Sequence, residues 1–151
     1  MDKGIAILIA EDDAGHFQLI KKNLWLACVN NDILQFKDGQ QILDFLLKTG
    51  DGPHMDETKQ YIVLLDVRMP KVDGLEVLRR MKDNDKLRKI PVIMLTTTSE
   101  SGMIEQCYGL GCSCYMVKPV DYHRFMEAVQ SLGKFLSLEG LRLPSIRPSG
   151  N

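Results

Sequence analysis

The sequence predicts a doubly wound α/β domain, in which helices cover both faces of one parallel sheet. Short apolar runs rich in β-branched residues alternate with segments of helical periodicity. This pattern is typical of strands that are buried on both faces and joined by helices. Two of the runs, residues 5–10 and 61–65, end directly in carboxylates. Parallel strands present their carboxyl ends at one edge, where α/β proteins bind ligands, so this edge is the candidate site.

Five strands are predicted, each from an apolar run bounded by polar or turn residues. In chain order they cover residues 5–10, 33–36, 61–65, 90–95 and 112–117. Pro91 is compatible with the fourth strand because a proline is tolerated where a strand opens. Glycines and a proline among the charged residues of 49–60 predict a long exposed loop before the third strand.

The intervening helices are predicted from apolar residues spaced three or four apart. Their inward faces are Phe17, Ile20 and Leu24; Ile42, Phe45 and Leu46; Leu75, Leu78 and Met81; and, in a last helix at about 121–138, Phe125, Val129 and Leu132. Asp13 is expected to act as the N-cap of the first helix. The fourth helix, at about 99–110, contains Gly102 and Gly109 and is expected to be weak, because glycine disfavours a helix interior.

The composition is that of an ordinary globular domain. Of the 151 residues, 44% are hydrophobic and 26% are charged. A chain of this length and hydrophobic content can bury enough apolar surface to form a single core. The formal net charge of -1 gives no electrostatic reason to expect nucleic-acid binding. The apolar segment at the start is too short for a signal peptide or a membrane span, so we expect a cytoplasmic protein without membrane contact.

The cysteines are interpreted as free thiols rather than as disulfides or a metal site. Without a secretory signal, disulfides are disfavoured. Zinc requires about four ligands, and no second Cys/His pair stands at a suitable spacing from Cys112 and Cys114. The three histidines are far apart in polar surroundings and are interpreted as surface residues.

Chemically useful side chains follow the ends of four predicted strands. Glu11 and Asp12 follow the first, Asp66 the third, Thr96 the fourth and Lys118 the fifth. Three carboxylates at one edge repel each other, by roughly 3 kcal/mol per pair at ~5 Å and an effective dielectric of ~20, and therefore need a counter-charge. Mg²⁺ prefers such oxygen ligands, a carboxylate can attack phosphorus, and an ammonium and a hydroxyl can hold phosphoryl oxygens. Together these groups indicate phosphoryl chemistry.

In these motifs the chain resembles the response-regulator receiver domain, the phosphoacceptor module of two-component signalling. The matching segments are Glu11-Asp12, residues 64–70 with Asp73-Gly74, residues 95–97 and residues 115–119. The resemblance covers about residues 5–136. It implies a flavodoxin-like fold of five βα units with strand order 2-1-3-4-5. We expect a receiver domain over 1–138 and a tail over 139–151 that is partly disordered or associated with a dimer.

The resemblance also implies a role for each acidic residue. Asp66 would be the phosphorylated residue and one of the ligands of Mg²⁺. Asp12 would bind the same ion directly, Glu11 would act through a bound water, and the backbone carbonyl of Arg68 would complete the protein's share of the ligands.

A second group of residues would respond to phosphorylation. The resemblance implies that Lys118 holds the phosphoryl group, that Thr96 supplies the switch hydroxyl and that Tyr115 is the aromatic residue that rotates with it. It also implies a cis peptide bond before Pro119, which is plausible because only X-Pro bonds adopt cis at low cost.

Within the family, the long loop and the extra C-terminal residues are similar to stand-alone regulators that partner phytochrome-type kinases. The implied partners are a sensor histidine kinase and a downstream protein or phosphorelay acceptor, and the domain would not be an enzyme that turns over a separate substrate. Surplus apolar residues at 136–143 leave two alternatives open: a second copy of the chain covers them in a homodimer, or they pack on their own domain.

Two other functions stay open from the sequence. A phosphatase of the haloacid-dehalogenase type also uses a strand-end Asp, a hydroxyl, a Lys and Mg²⁺, but it carries a second Asp two positions after the nucleophile, where this chain has Arg68. The other alternative is an interaction module that keeps the fold without being phosphorylated. The complete set of strand-end side chains argues against that module.

Overall fold

The computed structural model describes residues 4–26, 29, 31–97, 100–118, 121, 123–131 and 134. Over this range it confirms one five-stranded parallel sheet with the order β2-β1-β3-β4-β5. The strands are β1 (Ile5–Ala10), β2 (Ile33–Phe36), β3 (Gln60–Leu65), β4 (Val92–Thr96) and β5 (Cys114–Val117). The helices are α1 (Ala14–Leu26), α2 (Gly39–Leu47), α3 (Gly74–Lys82), a short 3₁₀ helix (Leu87–Lys89), α4 (Ser101–Gly109) and α5 (123–131).

The sheet divides the apolar interior into two layers, because alternate side chains of each strand point to opposite faces. In β1, an interior strand of the sheet, Ala6 and Leu8 belong to the layer under α2, α3 and α4, whereas Ile7 and Ile9 belong to the layer under α1 and α5. Every residue of β1 is buried. This two-sided burial is why the first strand is a continuous apolar run rather than an alternating one.

Backbone hydrogen bonds extend the sheet past the strand ends and align the functional residues at one edge. The Glu11 amide donates to the Phe36 carbonyl at 3.0 Å, and the Asp66 amide donates to the Ala10 carbonyl at 3.1 Å. The amide of Lys118 donates to the carbonyl of Thr96 at 2.8 Å. The register of the sheet therefore determines which side chains meet there.

The start of α3 packs directly behind Asp66. A Cβ added at Gly74 would lie 2.1 Å from the carbonyl oxygen of Asp66, so only glycine allows this approach. The Asp73 side chain caps the helix by accepting a hydrogen bond from the Glu76 amide. The sequence Asp73-Gly74 thus fixes the turn that follows Asp66.

Several predicted boundaries are wrong by one or two residues. The fourth strand was expected at 90–95 but is Val92–Thr96, because Ile90 closes the 3₁₀ helix by donating to Leu87, while Pro91 has no amide hydrogen to donate to the sheet. The fifth strand begins at Cys114 rather than at residue 112. In α3, Val77 is fully buried, whereas the expected core residue Leu75 is only partly buried.

The other elements agree with expectation to within two residues where the structure describes them; the third strand is Gln60–Leu65 rather than 61–65. Asp13 accepts a hydrogen bond from the His16 amide at 2.9 Å, as an N-cap does. Helix α4 has no side-chain cap at Glu100, and Cys107 is its only buried residue, so it is weakly anchored. None of the described helices is long and apolar enough to cross a membrane. The tail at 139–151, the predicted end of the last helix, Pro119 and Cys28 lie outside the described residues.

Candidate functional site

Three carboxylates meet at the carboxyl edge of the sheet, as the strand-end pattern predicts. One oxygen from each of Glu11, Asp12 and Asp66 lies within 4.8 Å of the other two. Glu11 and Asp66 are buried, with 1% and 9% of their surface exposed, whereas Asp12 is exposed. Of the three carboxylates, only Asp12 is exposed, so solvent reaches the cluster from the side of Asp12.

Lys118 provides the counter-charge from the end of β5. Its ammonium donates to Asp66 Oδ2 at 3.2 Å and to Glu11 Oε1, and its side chain is only 9% exposed. Burial raises the pKa of the Glu11 carboxyl above its ordinary value, although the Lys118 ammonium opposes this shift. One ammonium balances one of three carboxylates, so the cluster retains an excess of negative charge.

The donor set and the charge fit a divalent cation with oxygen ligands. Ligands on opposite sides of Mg²⁺ are roughly 4.2 Å apart, twice its usual Mg–O distance. A spread of up to 4.8 Å between the carboxylate oxygens is slightly wider. The three side chains therefore fit Mg²⁺ if they close in slightly or if one of them acts through a water molecule.

Residues adjacent to Asp66 line an open cavity. The backbone amide of Arg68 donates to Asp66 Oδ1 at 3.3 Å, and the Arg68 side chain is exposed. An open cavity of about 490 Å³ lies beside Asp12 and Arg68 and extends to Met103 on α4. This opening is large enough to admit a phosphoryl donor.

Thr96 and Tyr115 lie on β4 and β5, behind the acidic cluster. Thr96 is fully buried at the end of β4, and Tyr115 is 4% exposed. Burial raises the pKa of the Tyr115 phenol to about 12, with Asp66 among the negative groups that add to the shift. The amide of Tyr115 also donates to the hydroxyl of Tyr108 on α4 at 3.1 Å. The backbone of Tyr115 is thus hydrogen-bonded to α4, and its buried phenol lies within electrostatic reach of Asp66.

Comparison with known families agrees with this geometry. The family described as response regulator receiver domain matches residues 7–130, most of the chain. The chain belongs to the response-regulator receiver-domain family. Membership supports a phosphoacceptor role in two-component signalling, and receiver domains generally bind Mg²⁺ or Mn²⁺ at an acidic pocket of this kind.

Individual relatives of this receiver domain include stand-alone regulators. Response regulator Rcp1 of Synechocystis sp. is 30% identical over 139 residues, 92% of each chain. A structure of Rcp1 in its Mn²⁺-bound form superposes with a TM-score of 0.69 at 29% identity, covering 87% of this chain and 93% of that one. The bacteriophytochrome response regulator RtBRR gives 0.75 at 38% identity, covering 85% and 77%. The phosphorylated cyanobacterial phytochrome response regulator RcpA gives 0.69 at 28% identity, covering 86% and 91%.

Sequence reasoning missed one residue at the site of this receiver domain. His16, interpreted as a surface histidine, is partly exposed but places Nδ1 3.1 Å from Lys118 Nζ and 3.8 Å from Glu11 Oε2. A lone histidine gives no signal of such a contact. The Asp13 cap was the available clue, because it places His16 in the first turn of a helix that begins at the carboxyl edge.

The described cysteines do not contribute to the site. Cys107, Cys112 and Cys114 are free, as predicted, and the first two are buried. Burial raises the pKa of all three thiols, that of Cys112 to about 12. They are therefore protonated at neutral pH and belong to the packing of α4 and β5.

Proposed function

We propose that this receiver domain accepts a phosphoryl group from a sensor histidine kinase onto Asp66 with the help of Mg²⁺, and that phosphorylation changes a protein-binding face. The observation that carries the proposal is the position of Asp66. Its carboxylate contacts the Lys118 ammonium and lies within 4.8 Å of oxygens of Glu11 and Asp12, and the residues that follow it line an open cavity. This environment combines a nucleophile with positive charge for the transferring group.

The chain's own residues would divide the binding of Mg²⁺. Asp12 is exposed at the mouth of the cluster, which favours direct contact. Glu11 is buried and already bonded to Lys118, which favours contact through water. Asp66 and the backbone carbonyl of Arg68 would supply the remaining protein ligands. The ion, when bound, would offset negative charge on the incoming phosphoryl group.

The transfer itself would be an in-line displacement at phosphorus. An oxygen of Asp66 forms the new O–P bond while the N–P bond of the kinase phosphohistidine breaks, and the imidazole leaves with the electron pair. Lys118, 3.2 Å from Asp66 Oδ2, then holds a phosphoryl oxygen. Catalysis would come from positioning and electrostatics, and the domain would not turn over a separate substrate.

The response would involve α4, which is the weakly anchored helix. A hydroxyl at Thr96 would bond the new phosphoryl group, and the β4–α4 loop would follow. Tyr115, buried in this structure, is in the position we propose for the phosphorylated state. Helix α4 buries only Cys107 and lacks a side-chain cap, so little free energy is needed to displace it. Such a change would alter the face formed by α4, β5 and α5.

The kinase would approach across α1. A largely apolar groove of about 400 Å³ between α1 and α5 is lined by Leu19, Ile20 and Phe125 and reaches Lys118. Leu19, which lines this groove, is 60% exposed, and Trp25 near the other end of α1 is 71% exposed. Exposed apolar surface of this kind is typical of protein contacts. RtBRR and RcpA are named for phytochromes, so we propose that the partner is a phytochrome-type kinase. We also propose that the domain acts in the cytoplasm and passes its signal on by protein contact or by phosphoryl transfer to a second acceptor. Homodimerisation through 139–151 remains a prediction.

Labelling with a small phosphodonor tests the acceptor assignment. With radiolabelled acetyl phosphate and Mg²⁺, the wild-type protein should gain one hydroxylamine-sensitive phosphoryl group, and Asp66→Asn should gain none. Asp51→Asn, which changes an exposed acid of the 49–60 loop, is the matched control and should label like wild type. Undiminished labelling of Asp66→Asn would refute the assignment.

A further inference from the structure

His16 makes a contact that none of the roles above uses. Its Nδ1 atom lies 3.1 Å from Lys118 Nζ, across 102 residues of sequence. The backbone of His16 is held in the first turn of α1 by the Asp13 side chain at 2.9 Å. The imidazole is therefore delivered to Lys118 by a capped helix rather than by a free loop.

The Lys118 ammonium has three hydrogens and meets three acceptors. Glu11 accepts from the end of β1, Asp66 from the end of β3 and His16 from α1. An ammonium has three donors and no acceptor, so Nδ1 must accept, which requires a neutral imidazole with its hydrogen on Nε2. The three acceptors arise from different elements and together define the direction of the ammonium.

His16 differs from the other two acceptors in charge. Glu11 and Asp66 offset the charge of Lys118, and both belong to the cluster that fits a cation. A neutral imidazole orients the ammonium without offsetting its charge, which stays available to phosphoryl oxygens. His16 is not one of the three residues of the carboxylate cluster, and its Nδ1 lies 3.8 Å from Glu11 Oε2, beyond hydrogen-bond distance, so its contact with Lys118 takes no ligand from the ion.

We propose that His16 is a positioning residue, which holds Lys118 over Asp66 through Nδ1 and so speeds phosphoryl transfer. The inference rests on the proposed function of Asp66. Loss of one hydrogen bond to an oriented donor lowers a rate by roughly 3- to 10-fold. With a small donor the effect should fall on the maximal rate, because His16 orients Lys118 and is not among the residues that line the cavity beside Asp12 and Arg68.

Two substitutions at His16 distinguish the effect of the hydrogen-bond acceptor from the effect of side-chain volume. Asn places Oδ1 close to the position of Nδ1, whereas Leu keeps apolar volume and removes the acceptor. With acetyl phosphate and saturating Mg²⁺, His16→Leu should lower the maximal rate of Asp66 phosphorylation about 3- to 10-fold, with an unchanged half-saturating donor concentration. His16→Asn should recover most of the rate. Gln18→Leu, an exposed change on the same helix, should match wild type.

A spectroscopic readout tests the contact without phosphorylation. In ¹⁵N-labelled protein, ammonium signals are visible only for lysines whose hydrogens are held in hydrogen bonds; Lys118→Met identifies the signal of Lys118. That signal should persist in His16→Asn and broaden in His16→Leu. Equal rates for wild type and His16→Leu, equal losses in both His16 variants, or an unchanged Lys118 signal in His16→Leu would each overturn the inference. Wild-type protein that takes up no phosphoryl group would instead count against the proposed function.

Discussion

Removing the exposed carboxylate of the cluster should stabilise the protein when no metal is present. An oxygen of Asp12 lies within 4.8 Å of oxygens of Glu11 and Asp66. At that separation each like-charge pair costs about 0.9 kcal/mol in water and about 3.5 kcal/mol at an effective dielectric of 20. Asp12 is exposed, so the lower figure applies, and the Lys118 ammonium, which contacts both Glu11 and Asp66, offsets about one of the two repulsions. Asp12→Asn should therefore raise the free energy of unfolding by about 1 kcal/mol in the presence of EDTA.

Urea unfolding with and without Mg²⁺ tests this reasoning. Mg²⁺ stabilises whichever folded protein binds it, in proportion to the logarithm of its concentration over Kd. Wild type should therefore gain stability with added Mg²⁺ and approach or pass Asp12→Asn, which should gain less. Asp51→Asn, an exposed acid outside the cluster, should respond like wild type. A less stable Asp12→Asn in EDTA, or equal gains with Mg²⁺, would refute the electrostatic account of the site.

Other predictions concern the packing behind the site. Gly74→Ala should lower the free energy of unfolding by about 2 kcal/mol or more, because its Cβ would lie 2.1 Å from the Asp66 carbonyl oxygen. Gly102→Ala, where a Cβ meets nothing within 4 Å, should instead stabilise α4 by about 0.5–1 kcal/mol; equal effects in urea unfolding would contradict the packing argument. Tyr115 should titrate near pH 12, so its contribution to stability is complete below about pH 10 and is lost as pH rises through 12. Ultraviolet titration of wild type and Tyr115→Phe checks this: the variant should lack an ionisation step near pH 12 that wild type shows. If the step that the variant lacks lies near pH 10 instead, the prediction is wrong.

The carboxyl edge could be predicted from the residues because its sequence signal is local, whereas the strand order was implied only by the resemblance to the receiver domain. Each buried run ends where its functional residue begins, as with Ala10 before Glu11 and Leu65 before Asp66. In a parallel sheet this places both carboxylates at one edge without further information. The boundaries of β4 could not be predicted as well, because Ile90 and Pro91, which follow the 3₁₀ helix, look like part of the same apolar run.

Contacts between distant side chains could not be predicted from pattern alone. Lys118 meets His16 across 102 residues, and the contact depends on where α1 begins relative to the sheet. Val77 rather than Leu75 is buried in α3, because Gly74 packs against the backbone of Asp66 and Val77 lies on the same face of the helix as Gly74. Periodicity predicts that one face is inward, but this tertiary contact decides which residues form it.

Chemical trapping of the phosphorylated residue tests the central claim most directly. Borohydride reduces an aspartyl phosphate to homoserine, which peptide mass spectrometry locates in the chain. After treatment with acetyl phosphate and Mg²⁺, homoserine should appear at position 66 alone, and chelation of Mg²⁺ should prevent it. Homoserine at another aspartate, or equal yield at Asp66 without a divalent ion, would contradict the account.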